Sequence, residues 1–163
     1  MGSLDYFDAL APFFWKTTGL ALLCGGIVGI ERQLRGKAAG IRTSMLICFS
    51  TTVFVQLGAS FGGTNGDHGA DPTRVIGQIV TGVGFLGAGV MLAREGVVHG
   101  VTTAAVIWML AAIGATVGLG HFGAALTMSV VTVSILTGID LLEDRITSMT
   151  RGVHSRDDSG TRA

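Results

Sequence analysis

The sequence predicts an all-α membrane protein, a bundle of five transmembrane helices, and three observations support this. Only 13% of its 163 residues are charged and 48% are apolar, whereas a soluble domain carries about a quarter charged residues. Five nearly uncharged runs each approach the ~20 residues that cross the hydrocarbon core of a bilayer. Polar segments rich in Gly, Arg and Asp separate these runs.

The chain divides into a membrane domain and two short ends. Residues 1–9 are predicted to form an amphipathic lead, residues 10–142 the five-span membrane domain, and residues 143–163 a polar cytoplasmic tail that is largely disordered. Trp15 and Lys16 stand where such residues anchor the outer end of a first span. The predicted spans cover residues 10–30, 44–61, 72–93, 101–119 and 122–142.

Basic residues are distributed unequally between the two sides that these spans define. With the N-terminus outside, the outer side receives only Lys16 and Arg74. The inner side receives all the others: Arg32, Arg35, Lys37, Arg42, Arg94, Arg145, Arg151, Arg156 and Arg162. Because basic residues concentrate in cytoplasmic loops, the sequence predicts an outer N-terminus and a cytoplasmic C-terminus.

The third span, DPTRVIGQIVTGVGFLGAG, is the most informative stretch of the chain. Asp71 is suited to cap a helix and Pro72 to occupy its first position. At helical pitch one side is apolar and consists of Ile76, Ile79, Val83, Leu86 and Val90. The other side is small and polar and consists of Arg74, Gly77, Gln78, Thr81, Gly84 and Ala88. This pattern predicts an apolar face on lipid and a small-residue face against neighbouring helices.

Several glycines are interpreted as helix-packing residues. Gly25 and Gly29 form a small-xxx-small pair on the first span, which lets two backbones approach closely. The same role is assigned to Gly77, Gly84, Gly87 and Gly89 on the third span. The stretch GVGFLG matches a dinucleotide-binding fingerprint, but it lies inside a predicted membrane helix and follows no strand, so we reject that interpretation.

Charged and amide side chains at the inner ends of spans one and two form the first candidate site. It comprises Glu31, Arg32, Gln33, Arg42 and Thr43. The arginines alone would serve as a topology signal, but that role does not explain a carboxylate set on the helix end. We expect Glu31 and Arg42 to lie within salt-bridge distance and to hold both helix ends.

Two further polar groups lie near the ends of other spans. The outer group comprises Asp71, Arg74, Gln78 and Thr81 on span three. Asp71 is expected close to Arg74 or another basic partner. The strip from Arg74 to Thr81 either lines a water-filled vestibule or is filled by side chains of spans one and two. Thr102 and Thr103 begin span four, where helix capping is favoured over a bond to a neighbouring helix.

The sequence contains no set of side chains with the spacing of a catalytic or metal site. No HExxH or Ser/His/Asp pattern occurs, and the four histidines have no ligand partner at a regular interval. Cys24 and Cys48 lie in apolar runs and are interpreted as buried packing residues. A net charge of zero without a basic stripe speaks against a nucleic-acid partner. We therefore expect neither an enzyme nor a resident cofactor, with Mg²⁺ left open as a ligand or substrate.

The chain resembles the MgtC/SapB family of bacterial inner-membrane proteins in three motifs, ERQLRGKAAGIRT, DPTRVIGQIVTGVGFLGAG and GVTTAAVIW. The resemblance covers about residues 19–142. It implies a set of signature positions: Glu31, Arg32, Gln33, Gly40, Arg42, Thr43, Asp71, Arg74, Gln78, Gly84, Gly87, Gly89, Thr102 and Thr103. Longer members of the family carry a soluble C-terminal regulatory domain, and the short SapB-like group is the closer comparison.

The resemblance implies a function in adaptation to low magnesium and, in pathogens, in survival inside phagocytes. Two functions follow. The first is a regulator that contacts other inner-membrane proteins, which the many small residues favour. The second is a transporter or channel for Mg²⁺ or another small solute. Mg²⁺ prefers carboxylate ligands, and only Glu31, Asp71 and Asp140 lie near spans, each at an end.

We also expect a homo-oligomer, most simply a dimer, because the glycine-lined faces exceed what one bundle can pack.

Overall fold

The five predicted spans are five α-helices in a computed structural model, which describes residues 12–61, 72–94 and 97–154. The helices are α1 (Pro12–Leu34), α2 (Ile41–Phe61), α3 (Pro72–Val90), α4 (Val101–Gly118) and α5 (Phe122–His154). Each is long and apolar enough to cross a membrane. The predicted five-span helical architecture is therefore confirmed. The predicted amphipathic lead and Asp71 lie outside the described residues.

A hairpin of two short strands joins α3 to α4, where the sequence predicted only a connector. Strand β1 (Leu92–Arg94) pairs with β2 (Val97–His99) in antiparallel register, with Leu92 opposite His99. Gly100 follows with a φ of 89°, in the left-handed region that favours glycine. A Cβ at this position would meet the backbone carbonyl of Val90. The chain therefore enters α4 through a turn that only glycine fits.

Helix α5 extends beyond the predicted end of the fifth span at Leu142 and reaches His154. Residues 143–154 are thus helical where a largely disordered tail was predicted, and residues 155–163 lie outside the described part. The described residues up to Thr132 form one compact unit, and those from Val133 onward form a second.

The core of the first unit lies between α1, α2 and α4. Fully buried side chains include Val28 on α1, Cys48 on α2, and Leu110 and Ile113 on α4. The Cys48 thiol donates a hydrogen bond to the carbonyl of Leu110 at 3.2 Å. Because the thiol satisfies its donor on a neighbouring backbone, the apolar centre tolerates it.

Helices α1 and α2 approach most closely at two glycines. A Cβ on Gly25 would lie 2.7 Å from the carbonyl oxygen of Ser44, and one on Gly29 would lie 2.5 Å from the Cα of Ile41. Real side chains do not come this near to backbone, so both positions require glycine. The predicted small-xxx-small pair thus faces α2.

Helices α2 and α4 meet at a second pair of glycines, which the sequence analysis did not single out. A Cβ on Gly114 would meet the carbonyl of Cys48, and one on Gly118 would lie 2.8 Å from the Cβ of Val55. The hydroxyl of Thr52 lies 2.8 Å from the carbonyl oxygen of Gly114. The two glycines and this hydrogen bond hold α2 and α4 in close contact.

Candidate functional site

Helix α3 turns part of its apolar face towards the bundle and its small and polar face outwards, which differs from the predicted arrangement. Val83 is buried, and Ile76 and Ile79 are half-buried, so the apolar face packs towards the bundle. All residues of the small and polar face are exposed: Arg74, Gly77, Gln78, Thr81, Gly84 and Ala88. The prediction that the apolar face lies on lipid is therefore wrong for Val83, which is buried, whereas Leu86 is 49% exposed and borders a groove that opens to the outside of the bundle.

The glycines of α3 therefore have unlike surroundings. Gly87 is buried, and a Cβ there would lie 3.6 Å from the Cβ of Ala104 on α4. Gly77, Gly84 and Gly89 have no atom within 4 Å of the Cβ position. Their role as packing residues stays a prediction. It requires a contact with another molecule, because no described part of the single chain packs against them.

The strip of Arg74, Gln78 and Thr81 is not filled by side chains of α1 and α2, since all three residues are exposed. Thr81 donates its hydroxyl proton to the carbonyl of Gly77 at 3.0 Å and is thereby satisfied within the helix. Gln78 borders a groove against α2, whereas Arg74 and Thr81 do not line it. The vestibule that the sequence left open is thus not formed by this strip in the single chain.

Polar residues at the end of α1 and the beginning of α4 form a partly buried site, here called the hairpin cluster. Glu31, Arg32 and Thr103 are buried, Arg35 is half-buried and Gln33 is exposed. Arg32 is only 2% exposed. Its Nη2 donates to the hydroxyl oxygen of Thr103 at 2.6 Å and to the carbonyl of Ala38 at 3.0 Å. One guanidinium thus joins α1, the loop after it, and the beginning of α4.

Glu31 pairs with a different arginine from the one predicted. Its Oε1 lies 2.6 Å from the Nε of Arg35, four residues further along and just past the end of α1. Arg42 is exposed and forms no salt bridge within the described residues. The expected pair between Glu31 and Arg42 is therefore wrong, because Arg35 pairs with the carboxylate instead.

The loop between α1 and α2 is held by backbone bonds and by Gln33. The Gln33 Oε1 accepts the backbone N–H of Ile41, the first residue of α2, at 3.3 Å. A Cβ on Gly40 would lie 3.3 Å from the same oxygen. Gly36 and Ala39 adopt positive φ angles of 62° and 58° and reverse the chain.

The two threonines at the beginning of α4 have separate roles. The helix is capped by Gly100 without a side-chain hydrogen bond, so the favoured capping role is wrong. Thr103 instead bonds a neighbouring helix through Arg32 and joins the hairpin cluster. Thr102 is exposed, as is Thr43 on α2. Two clusters that the sequence placed apart, at residues 31–43 and 102–103, thus form one site through Thr103.

A second polar cavity, of about 230 Å³, lies at the opposite end of α2 and α4 and was not predicted as a site. Phe13, Gln56 and Ser60 line it together with residues 118–120. Gln56 is 8% exposed, and its Nε2 has no hydrogen-bond partner among the described atoms. An amide within an apolar span is a visible signal of a polar contact, but Gln56 was not predicted as a site residue.

Metal-binding side chains do not gather in the described residues, where no group of three or more His, Cys, Asp or Glu could hold an ion. Glu31 is the one acidic residue of the hairpin cluster, and its carboxylate forms a salt bridge with Arg35. What the arrangement provides is a fixed polar end of the bundle and an exposed polar face on α3.

Comparison with known proteins identifies the same family as the three sequence motifs. The model of the MgtC family matches residues 19–145. The chain is 43% identical over 130 residues to "Putative magnesium transporter YhiD" of Escherichia coli (strain K12), covering 77% of this chain and 60% of that protein. It is 43% identical over 112 residues to "Protein MgtC" of Salmonella typhimurium, covering 68% and 46%. It is 38% identical over 115 residues to "Protein MgtC" of Brucella abortus, covering 71% and 46%.

The chain spans about half the length of the curated relatives it matches. No solved structure matches it. The aligned part begins within α1 and ends within α5, and it includes the hairpin cluster and the exposed face of α3.

Proposed function

Since this chain belongs to the MgtC family, we propose that it is a regulator of the bacterial inner membrane in magnesium limitation and acts through lateral contacts of α3 with membrane partners. The relatives' names connect the family with magnesium. The observation that carries the proposed mode of action is the outward face of α3, where Arg74, Gln78 and the open glycines stand on the surface of a membrane helix.

Exposure of this face to lipid would be unfavourable for its polar groups. Arginine at the centre of a membrane helix costs about 2.5–3.5 kcal/mol on insertion scales, and an amide also loses its hydrogen bonds in hydrocarbon. Arg74 stands two residues after the beginning of α3 and can reach the interface. Gln78 lies one turn deeper, and a partner helix would supply its hydrogen bond.

The small residues of the face give that partner room to approach. Gly77, Thr81, Gly84 and Ala88 recur at intervals of four, three and four residues, here called the small-residue stripe. Such spacing keeps small side chains on one line of a helix and allows close contact of two backbones. A second copy of the chain is the simplest partner, because cyclic dimers are the commonest closed assembly. Another inner-membrane protein would use the same stripe.

A transporter of Mg²⁺ or another small solute is the alternative, and the cavity around Gln56 favours it. The cavity lies where α2 and α4 end, so that helix-terminal carbonyls and two negative dipole ends lie nearby. Mg²⁺ retains several of its waters and accepts oxygen ligands of this kind. Transport also requires a path to the other side, and the buried centre of α1, α2 and α4 lies in that direction.

A measurement of Mg²⁺ flux distinguishes a regulator from a transporter. Purified protein is reconstituted into vesicles that contain a fluorescent Mg²⁺ indicator, and uptake is compared with protein-free vesicles. The proposal expects no saturable uptake. A saturable flux that Arg74→Ala removes, in protein that keeps its melting temperature, would establish the transporter and contradict the regulator.

The same variant tests the regulatory role in cells. Arg74→Ala is expected to abolish the growth benefit that the protein confers in magnesium-limited medium, because the contact face loses its charge. Cellular Mg²⁺ uptake is expected to stay unchanged. Phe85→Leu is the matched control, since Phe85 is 80% exposed on the same helix but carries no polar group. Full activity of Arg74→Ala would contradict a role for this face.

A further inference from the structure

A groove of about 480 Å³ runs between α2 and α3, and Gln78 is the one residue in its lining that also belongs to the face proposed to contact a partner. It opens to the outside of the bundle, since Phe54 and Leu86 in its walls are 57% and 49% exposed. At one end Val75 closes against Gly58, where a Cβ on the glycine would meet the valine side chain. The groove follows α3 from Val75 to Leu86, a length of roughly 16 Å at helical rise.

The lining of the groove is apolar over most of its length. Its hydroxyl groups include that of Ser50, which donates to the carbonyl of Ile47 at 3.2 Å and is thereby satisfied within its own helix. The amide of Gln78 is the polar group near the Val75 end. An occupant therefore needs a long hydrocarbon part and a polar part at one end only.

The polar end of the groove is also its charged end. Arg74 precedes Val75 and stands one turn before Gln78 on the same side of α3. Its side chain is exposed, and no ion pair involves it within the described residues. A cation near the end of a membrane span lies at the depth of lipid headgroups, where anionic phosphate is the available counter-charge.

We propose that this groove binds one acyl chain of an anionic phospholipid. The phosphate pairs with Arg74, the ester region accepts from the Gln78 amide, and the hydrocarbon chain lies along the groove towards Leu86. The site uses Arg74 and Gln78, the polar end of the face proposed to contact a partner, but none of the residues of the small-residue stripe.

The lining and the charge of the groove favour a lipid as its occupant. Its walls are apolar over most of their length, and Arg74 stands beside its polar end. A phospholipid combines a hydrocarbon chain and an anionic group in one molecule, so the proposal is a lipid and not a second copy of the chain.

Native mass spectrometry in mild detergent measures the binding directly. The full chain is titrated with dioleoyl phosphatidylglycerol or with dioleoyl phosphatidylcholine, and the retained lipid is counted. We expect the anionic lipid to bind about fivefold more tightly, as one basic residue at the membrane surface provides. Arg74→Lys keeps this preference, and Arg74→Gln removes it while both lipids still bind.

Two substitutions fill the groove from opposite walls. Gly82→Phe adds a ring from α3, where nothing lies within 4 Å of the Cβ position, and Ser50→Phe adds one from the exposed side of α2. Each substitution is expected to weaken the binding of both lipids at least about tenfold. Gly19→Phe, at an exposed glycine of α1 with equal space, is the control and should bind as the wild type does.

The proposal is overturned if the wild-type chain retains both lipids equally, or if both folded groove variants still bind phosphatidylglycerol at wild-type strength. It is also overturned if Gly82→Phe converts a dimer to monomer without changing lipid retention, because a second chain would then occupy the groove. An unchanged elution volume and melting temperature identify the variants that have folded.

Discussion

Arg32 has a guanidinium at a position that is 2% exposed, and three parts of the chain depend on how this group is satisfied. Its contacts to Thr103 and to the carbonyl of Ala38 connect α1 to α4 and to the loop between α1 and α2. Removing one partner of a buried charged group leaves its remaining donor without compensation, which costs more than the bond itself contributes.

Thr103→Val tests this contact at the scale of a single hydroxyl. The substitution preserves volume and removes the oxygen that accepts from Arg32, so we expect a loss of about 1–3 kcal/mol in the free energy of unfolding. Thermal unfolding of the purified protein in detergent measures it. Thr102→Val changes the same atoms at an exposed neighbour and should stay within about 0.5 kcal/mol. Equal effects from both variants would show that Thr103 acts only through helix propensity.

Helix α1 is positioned by glycines rather than by large side chains. Gly29→Ala places a methyl group against the Cα of Ile41 at 2.5 Å, and two backbones would have to separate. We expect a cost of about 1–3 kcal/mol, as for other overpacked contacts, measured as a lower melting temperature. Gly19→Ala adds the same methyl group into open space on the same helix and should cause no loss. An unaltered melting temperature in Gly29→Ala would contradict the close contact of α1 and α2.

The elements could be predicted from the sequence because hydropathy and length determine membrane spans almost independently of packing. The orientation of α3 could not be predicted. Small residues pack equally well inside one chain or between two chains, and the sequence does not record which neighbour is available. The Glu31 pairing failed for a related reason: the sequence offers both Arg35 and Arg42 as basic partners, and only the structure shows that the carboxylate pairs with Arg35.

The contact of Thr103 could not be predicted from the sequence either. Its bond to Arg32 joins residues 71 positions apart, and nothing in the local pattern distinguishes it from Thr102. The Gln56 cavity is similar, because an amide in a span signals a polar contact without identifying the walls. Pairing between distant helices is therefore the part of the site that requires the structure.

At the scale of the first unit, α3 carries an exposed polar face, and dimerisation is the consequence to test. We expect the wild-type protein to be dimeric by native mass in mild detergent. Gly84→Leu places a bulky side chain on the small-residue stripe, where the single chain has open space. Dimer affinity should fall about tenfold, equivalent to about 1.4 kcal/mol, with no change in melting temperature of the monomer.

Gly19→Leu serves as the control for this dimer, since Gly19 is an exposed glycine of α1 with equal space. It should leave the dimer intact. A wild-type protein that is only monomeric, or a Gly84→Leu variant that dimerises normally, would remove the stripe as the pairing surface.

Helix α4 contacts α1, α2 and α3, yet it is the fourth span to be synthesised. Chains emerge from the ribosome N-terminus first, at about 5–20 residues per second. The pair of α1 and α2 can close at once through Gly25 and Gly29, but Arg32 has no Thr103 to bond and α3 has little of its apolar face covered until α4 arrives. For several seconds the nascent protein therefore carries an incomplete polar end and a loosely held third span, which makes the arrival of α4 the committing step of its assembly.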